Sequence, residues 1–273
     1  MKENGLLYRP RRSSRHPDLF ITDADFADDI ALLSDSLTNA QALLSALESA
    51  SNCTGLYLNE TKTECMPINI QNNIQVKTLS NNIIKCVDDY KYLGSHILNS
   101  EKDFNTRKGM AWAACNKMDK LWQSSLNRRI KIRLFRVTIE PILLYGSETW
   151  TLSARQHRRL DGCYTRLLRR VLNLSWKNHP SLNDIYGDLP RISSLVQKRR
   201  VQFAGHCARA SDELVSSFVL WRHPSSHRRS RKLTFPDTIS RDTAIPKEDL
   251  LAAMTDREYW KGVVNSISAE AAK

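Results

Sequence analysis

Asp28 and Asp29 stand side by side in the stretch ITDADFADDIALLSDS, residues 21–36, with Asp23 and Asp25 just before them. Adjacent carboxylates repel each other unless a cation lies between them. Divalent metal binding makes use of such a pair. Mg2+ takes hard oxygen ligands, keeps several waters, and is commonly held by one or two carboxylates together with substrate phosphates. Two such ions can clamp the attacking and leaving oxygens of a phosphoryl transfer. An acidic turn that merely faces water is the competing reading. Asp25 could support the metal ligands from behind, whereas Asp23 is better placed to be solvated.

The elements that must position these acids are legible as patterns. Phe20, Thr22, Ala24 and Phe26 fall on one face by period two, and Ile30, Leu32 and Leu33 are apolar beyond the acids. The pattern predicts an antiparallel hairpin over residues 20–34, with Ala27-Asp28-Asp29 as its turn, where Asp is at home. A helix follows, with Thr38 and Gln41 as a capping box, Leu43, Leu44, Leu47 and Ala50 as its stripe, and Gly55 as its stop. Residues 72–98 read as short strands. From about residue 101 to 211 helical periodicity dominates, then a basic linker covers 221–232 and a last helix closes the chain. The expected class is α+β. The expected division is a frayed start over 1–18, a hairpin-rich region over 19–100, a helical region over 101–211, and a linker with a helical tail over 212–273.

Charge is uneven along the 273 residues. Residues 1–100 hold 9 Lys/Arg against 12 Asp/Glu, whereas residues 101–210 hold 22 against 8. A middle this basic points to a polyanion, most simply nucleic acid. A solvated helical face is the alternative. The six cysteines are Cys53, Cys65, Cys86, Cys115, Cys163 and Cys207, with no Cys-x-x-Cys pair among them. They read as reduced, mostly buried thiols of an intracellular protein, cytoplasmic or nuclear. His206-Cys207 with Cys163 and His179 does not match zinc-site spacing, and His206 reads as structural. Trp112, Trp122, Trp150 and Trp176 could stack on bases, although beside leucines at helical spacing they suit a core. No apolar run is long enough to span a membrane.

Phe26-Ala27-Asp28-Asp29 followed by Ile30-Ala31-Leu32-Leu33 resembles the [FY]-x-D-D hairpin of reverse transcriptases, and in detail the non-LTR (LINE-type) retrotransposon enzymes. GLYLNETKTECM, with Gly55, Leu56, Asn59, Lys62 and Thr63, resembles the next palm motif. YKYLGSHI, residues 90–97, resembles the primer-grip hairpin. LLYGSETWTL, KRRVQFAGHCAR and DREYWKGVV resemble segments that follow the thumb in these elements. The likeness runs over roughly residues 19–264, in order.

The resemblance implies a partial polymerase palm followed by a mostly helical thumb and tail. It implies Mg2+ ligation by Asp28, the stronger ligand, and Asp29, and a place for Lys62 beside the leaving pyrophosphate, where a flexible ammonium suits proton donation. It implies a primer grip at Tyr92, Leu93 and Gly94. Gly94 fits either a close approach of a nucleic-acid strand or an ordinary turn. Phosphate contacts then fall to Arg128, Arg129, Lys131, Arg133, Arg166, Arg169, Arg170, Lys198, Arg199 and Arg200, giving affinity without sequence readout. The implied partners are an RNA template, a DNA primer and, in the intact enzyme, dNTP, with no membrane.

A two-metal palm also needs a third carboxylate from an earlier strand. The 27 residues before Asp28 resemble neither that strand nor the fingers. The expectation is therefore a truncated RNA-directed DNA polymerase, inactive alone. The alternatives are a non-catalytic nucleic-acid-binding module or a pseudogene product descended from such an element.

Overall fold

The structure, a computed structural model, describes residues 2–11, 13–15, 17–69, 74–211, 213–221 and 234–270. These fall into two compact units that divide between Ile97 and Leu98. The fold is α+β, with short strands in the first unit and helices in the second.

In the first unit β1 (Leu6–Arg9) pairs antiparallel with β2 (Leu19–Ile21), Leu6 opposite Ile21. This corrects the frayed start expected over residues 1–18. Tyr8 and Ile21 are buried, and the Asp35 carboxylate accepts from the Leu7 amide at 2.7 Å. The expected face through Phe20 and Phe26 is broken at Thr22, because residues 19–21 pair backward with β1. The next hairpin is β3 (Asp23–Phe26) with β4 (Asp29–Leu32).

Helix α1 (Leu37–Cys53) is capped by Ser36, whose hydroxyl accepts from the Asn39 amide at 3.1 Å. Thr38 is therefore already inside the helix and does not cap it. Gln41 instead faces a neighbouring segment, donating to the Lys77 carbonyl at 2.7 Å and accepting from the Lys77 amide at 2.8 Å. The helix stops as expected at Gly55, which has φ +78°. The Gly55 amide reaches Asn52 and the Leu56 amide reaches Ser51, the paired bonds that satisfy a helix end.

Strands β5 (Glu64–Cys65) and β6 (Lys85–Cys86) pair in parallel, and β7 (Lys91–Tyr92) and β8 (Ser95–His96) form a hairpin. Leu44, Val76 and Ile84 make a small core, with Leu32, Leu58, Cys65 and Ile74 packed against it.

The second unit is built from α2 (Ser100–Lys117), α3 (Asp119–Gln123), α4 (Arg128–Thr138), α5 (Glu140–Leu143), α6 (Ala154–Val171), α7 (Leu182–Tyr186) and α8 (Ile192–Ala208). Then come α9 (Glu213–Phe218), α10 (Phe235–Thr243), α11 (Leu250–Thr255) and α12 (Arg257–Glu270). Helix α6 shows why the region is helical. Ser153 and Gln156 form its capping box, and Leu160, Cys163, Tyr164, Leu167, Leu168 and Val171 put one stripe into the core.

Trp122 and Trp150 lie in that core, and Trp112 packs against it, so none of the three is free to stack on a base. Helix α8 serves two cores: Ile192 and Val196 face the first, and Val201, Ala204 and Ala208 face a second with Ile239, Leu250, Met254 and Trp260. The single closing helix expected from the sequence is two helices. Asp256 ends α11 and its carboxylate accepts from the Tyr259 amide at 3.0 Å, which starts α12. The basic linker reading at 222–232 lies outside the described residues.

Candidate functional site

The β3–β4 hairpin pairs Asp23 with Leu32, Ala24 with Ala31, Asp25 with Ile30 and Phe26 with Asp29. The turn is thus two residues, Ala27-Asp28, and Asp29 is already the first residue of β4. Cross-strand partners share a face, and faces alternate. Asp29 therefore lies on the face of Ala24 and Phe26. Asp25 lies on the opposite face, with Ile30 and Leu32, and Leu32 carries that face to the small core. Phe26, Asp28 and Asp29 are all exposed, Phe26 by 64%. Ala27 sits at φ +55°, a left-handed conformation that a side chain disfavours.

A second hairpin braces the first. The Tyr92 hydroxyl lies 2.9 Å from the Ala24 carbonyl and 3.2 Å from the Asp29 carbonyl, and donates its proton between the two strands. The hydroxyl's pKa is raised, first by loss of water around it and then by the Asp25 and Asp29 carboxylates, so it stays a donor. Leu93 (φ +47°) and Gly94 (φ +84°) are both left-handed, as a two-residue hairpin turn requires. The positive φ of Gly94 fits its reading as a turn glycine.

Lys62 stands on a tight turn organised by Asn59. The Asn59 side-chain carbonyl accepts from the Lys62 amide at 3.2 Å and the Thr61 hydroxyl at 2.8 Å, and its backbone carbonyl accepts from the Thr63 amide at 2.9 Å. The Lys62 residue is exposed. Leu58, just before this turn, and Leu32, at the end of β4, share the small core. That core links the lysine turn to the acidic hairpin.

The donor chemistry at the hairpin suits Mg2+. Asp28 and Asp29 offer hard carboxylate oxygens open to water, and no described residue takes either side chain in a hydrogen bond or ion pair. Among the described residues no three His, Cys, Asp or Glu side chains gather as a cation site. Two acids fit the sparse ligation of Mg2+, with water and phosphate oxygens supplying the rest.

The basic residues divide sharply. Arg129 and Arg133 of α4 are exposed. Arg200 is fully buried, bonded through Nε to Asp242 at 2.8 Å and through Nη1 to the Trp150 carbonyl. Lys131 is buried and donates to the Trp122 carbonyl at 2.6 Å. These two are corrections, since a buried cation spent on an internal partner cannot meet a phosphate.

Other expected contacts are engaged locally. Arg128 closes the end of α7, donating to the Asp184 and Ile185 carbonyls at 2.7 and 2.8 Å. Arg170 pairs with Asp119 at 2.6 Å, and Arg199 reaches the Leu144 carbonyl at 3.3 Å and Glu148 at 3.5 Å. Arg166 bonds back to the Gly162 carbonyl at 3.1 Å, Nε of Arg169 is buried, and Lys198 is half-buried. Sequence reading missed Arg136, Arg155 and Arg158, which are exposed and have no ion pair among the described residues. The signal was there for Arg136, which continues the 129-133-136 helical spacing.

His206 is exposed, His179 is exposed and Cys163 is buried, so the three do not meet as metal ligands. Among the described residues no helix is long and apolar enough to cross a membrane.

Set against known proteins, the chain is similar to an uncharacterized transposon-derived protein of Caenorhabditis elegans. The two are 29% identical over 216 residues, covering 74% of this chain and 77% of that protein. No protein-family model matches the chain. No solved structure matches it.

Proposed function

We propose that this chain descends from a transposable element, carries the carboxylate hairpin of a non-LTR reverse transcriptase, and binds nucleic acid. The carrying observation is the exposed Asp28-Asp29 hairpin braced by Tyr92, and the transposon-derived relative supports it.

In this reading Asp28 and Asp29 hold Mg2+, which when bound neutralises phosphoryl charge as a Lewis acid. Tyr92 keeps the two strands in register so that the acids stay at a fixed tip. Lys62 presents its ammonium to a leaving pyrophosphate. Arg129, Arg133 and Arg136 meet the phosphates of an RNA template paired with a DNA primer, and a dNTP would be the nucleotide substrate of the intact enzyme. Nucleotidyl transfer needs a third carboxylate, which the described residues do not bring to the hairpin. The chain alone is therefore expected to bind primer–template without extending it. A purely non-catalytic binding module is the second reading, favoured by the unpaired arginines of α4 and α6.

Titration of a labelled RNA–DNA primer–template at several salt concentrations tests the binding. Affinity should fall with a log–log slope of about −0.9 per phosphate contact, the rule for B-form DNA. Changing Arg129, Arg133 and Arg136 to Gln should weaken binding and flatten the slope. Electron paramagnetic resonance with Mn2+, primer–template and dNTP tests the hairpin: an ordered Mn2+ signal should be present in the native chain and lost in Asp28→Asn. An unchanged signal would leave only the binding module. A flat salt dependence would sink the nucleic-acid reading altogether.

A further inference from the structure

Cys65 and Cys86 are separated by 20 residues in the chain but are direct partners across the parallel β5–β6 pair. The register is held on both sides. The Val87 amide donates to the Cys65 carbonyl at 2.9 Å, and Lys85 and Glu64, the adjacent partners, form an ion pair at 2.8 Å. Glu64 and Lys85 point to one face, so the two thiols share the other. Neighbouring strands lie about 4.8 Å apart, inside the roughly 4.4–6.8 Å span of Cα atoms that a disulfide bridges. The thiols are free and unequal: Cys86 is exposed, with Sγ 3.2 Å from the Ile74 carbonyl, and Cys65 is half-buried beside it.

We propose that Cys65 and Cys86 form a redox-active dithiol that low-molecular-weight disulfides close into an intramolecular disulfide. The Cys86 thiolate attacks one sulfur of the small disulfide; the S–S bond breaks and one thiolate leaves. The Cys65 thiolate then attacks Cys86 Sγ in the mixed disulfide and expels the second thiolate. Two protein thiols are oxidised, one disulfide is reduced to two thiols, and the two protons released by the cysteines end on them. Burial raises the Cys65 pKa, so the second step quickens with rising pH.

The bond closes the loop that supplies Ile74, Val76 and Ile84 to the small core. Leu32 of the acidic hairpin and Leu58 before the lysine turn rest on that core. Oxidation would thus lock the platform beneath both. This inference does not depend on the proposed function.

The test treats the full chain with oxidised glutathione, alkylates remaining thiols in denaturant, and maps unreduced peptides by mass spectrometry. The expected product links Cys65 to Cys86, with two thiols lost and restored by reductant. Cys65→Ser should instead retain glutathione on Cys86. The native map decides by itself if that variant fails to fold. Glutathione held on Cys86 of the native chain with Cys65 alkylated would overturn the proposal. So would oxidation confined to the exposed Cys53.

Discussion

Replacing Gly205 with Ala isolates the contact that fastens α12 to α8. A Cβ built on Gly205 lands well inside van der Waals contact distance of Nε1 and Cδ1 of Trp260. The indole is 2% exposed and donates to the Val201 carbonyl at 2.9 Å, so the ring is held on both its apolar and polar sides. Forcing an extra carbon into such a site costs about 1–3 kcal/mol when neighbours shift. Full ejection of the ring would forfeit about 150–250 Å² of burial, or about 4–6 kcal/mol. Against this, Gly→Ala inside a helix gains about 1 kcal/mol. The net expectation is a loss of about 0–2 kcal/mol if neighbours shift and about 3–5 kcal/mol if the ring is ejected.

Gly162 on α6 supplies the control, because a Cβ there meets nothing within 4 Å. Gly162→Ala should gain about 0.5–1 kcal/mol. Urea denaturation followed by far-ultraviolet circular dichroism, which the helices of the second unit dominate, reads both. If the two substitutions shift the midpoint in the same direction, the close approach of Trp260 to α8 is wrong.

Ala27→Gly should raise the stability of the first unit by up to about 1 kcal/mol by relieving the left-handed turn, and Ala27→Val should lower it; urea midpoints with hydrogen exchange at β3–β4 amides distinguish them. Arg200→Met should cost up to about 3–5 kcal/mol because it removes the closest partner of the buried Asp242 carboxylate, leaving it Gln197 at 3.4 Å and Arg241 at 3.7 Å, and Arg200→Met combined with Asp242→Leu should recover much of that loss in the same denaturation assay. Burial pulls the Asp237 carboxyl up, but hydrogen bonds from Lys247 and Thr234 outweigh it and hold its pKa well below the usual carboxylate range. A lowered folded-state pKa gives stability that is present at neutral pH and lost as pH falls below about 4. Asp237→Asn should therefore cost about 1 kcal/mol at pH 7 and progressively less as pH falls below about 4, measured by denaturation across that range.

Local patterns carried a good deal of this protein. The β3–β4 hairpin was legible because period-two apolar residues and a turn rich in Asp act over a dozen neighbours, although the turn is Ala27-Asp28 and not the three residues expected. The stop of α1 at Gly55 needed only a residue tolerant of positive φ, and the stripe of α6 only its own spacing. The α+β class followed from the change of period near residue 100.

What the sequence hid depends on partners far along the chain. Arg200 and Arg129 look alike in a charge count. Burial of the first is set by Asp242, 42 residues on, and by the Trp150 carbonyl. Tyr92 braces the acidic hairpin across more than 60 residues, and the β5–β6 register brings Cys65 to Cys86. Gly205 and Trp260 sit in separate motifs until α12 lies on α8. The backbone's own preferences, felt over a few residues, set strand, turn and helix from sequence. Which polar group becomes an internal strut and which faces water was decided only when distant elements packed, because burial of a charge is tolerated only where a partner arrives to meet it.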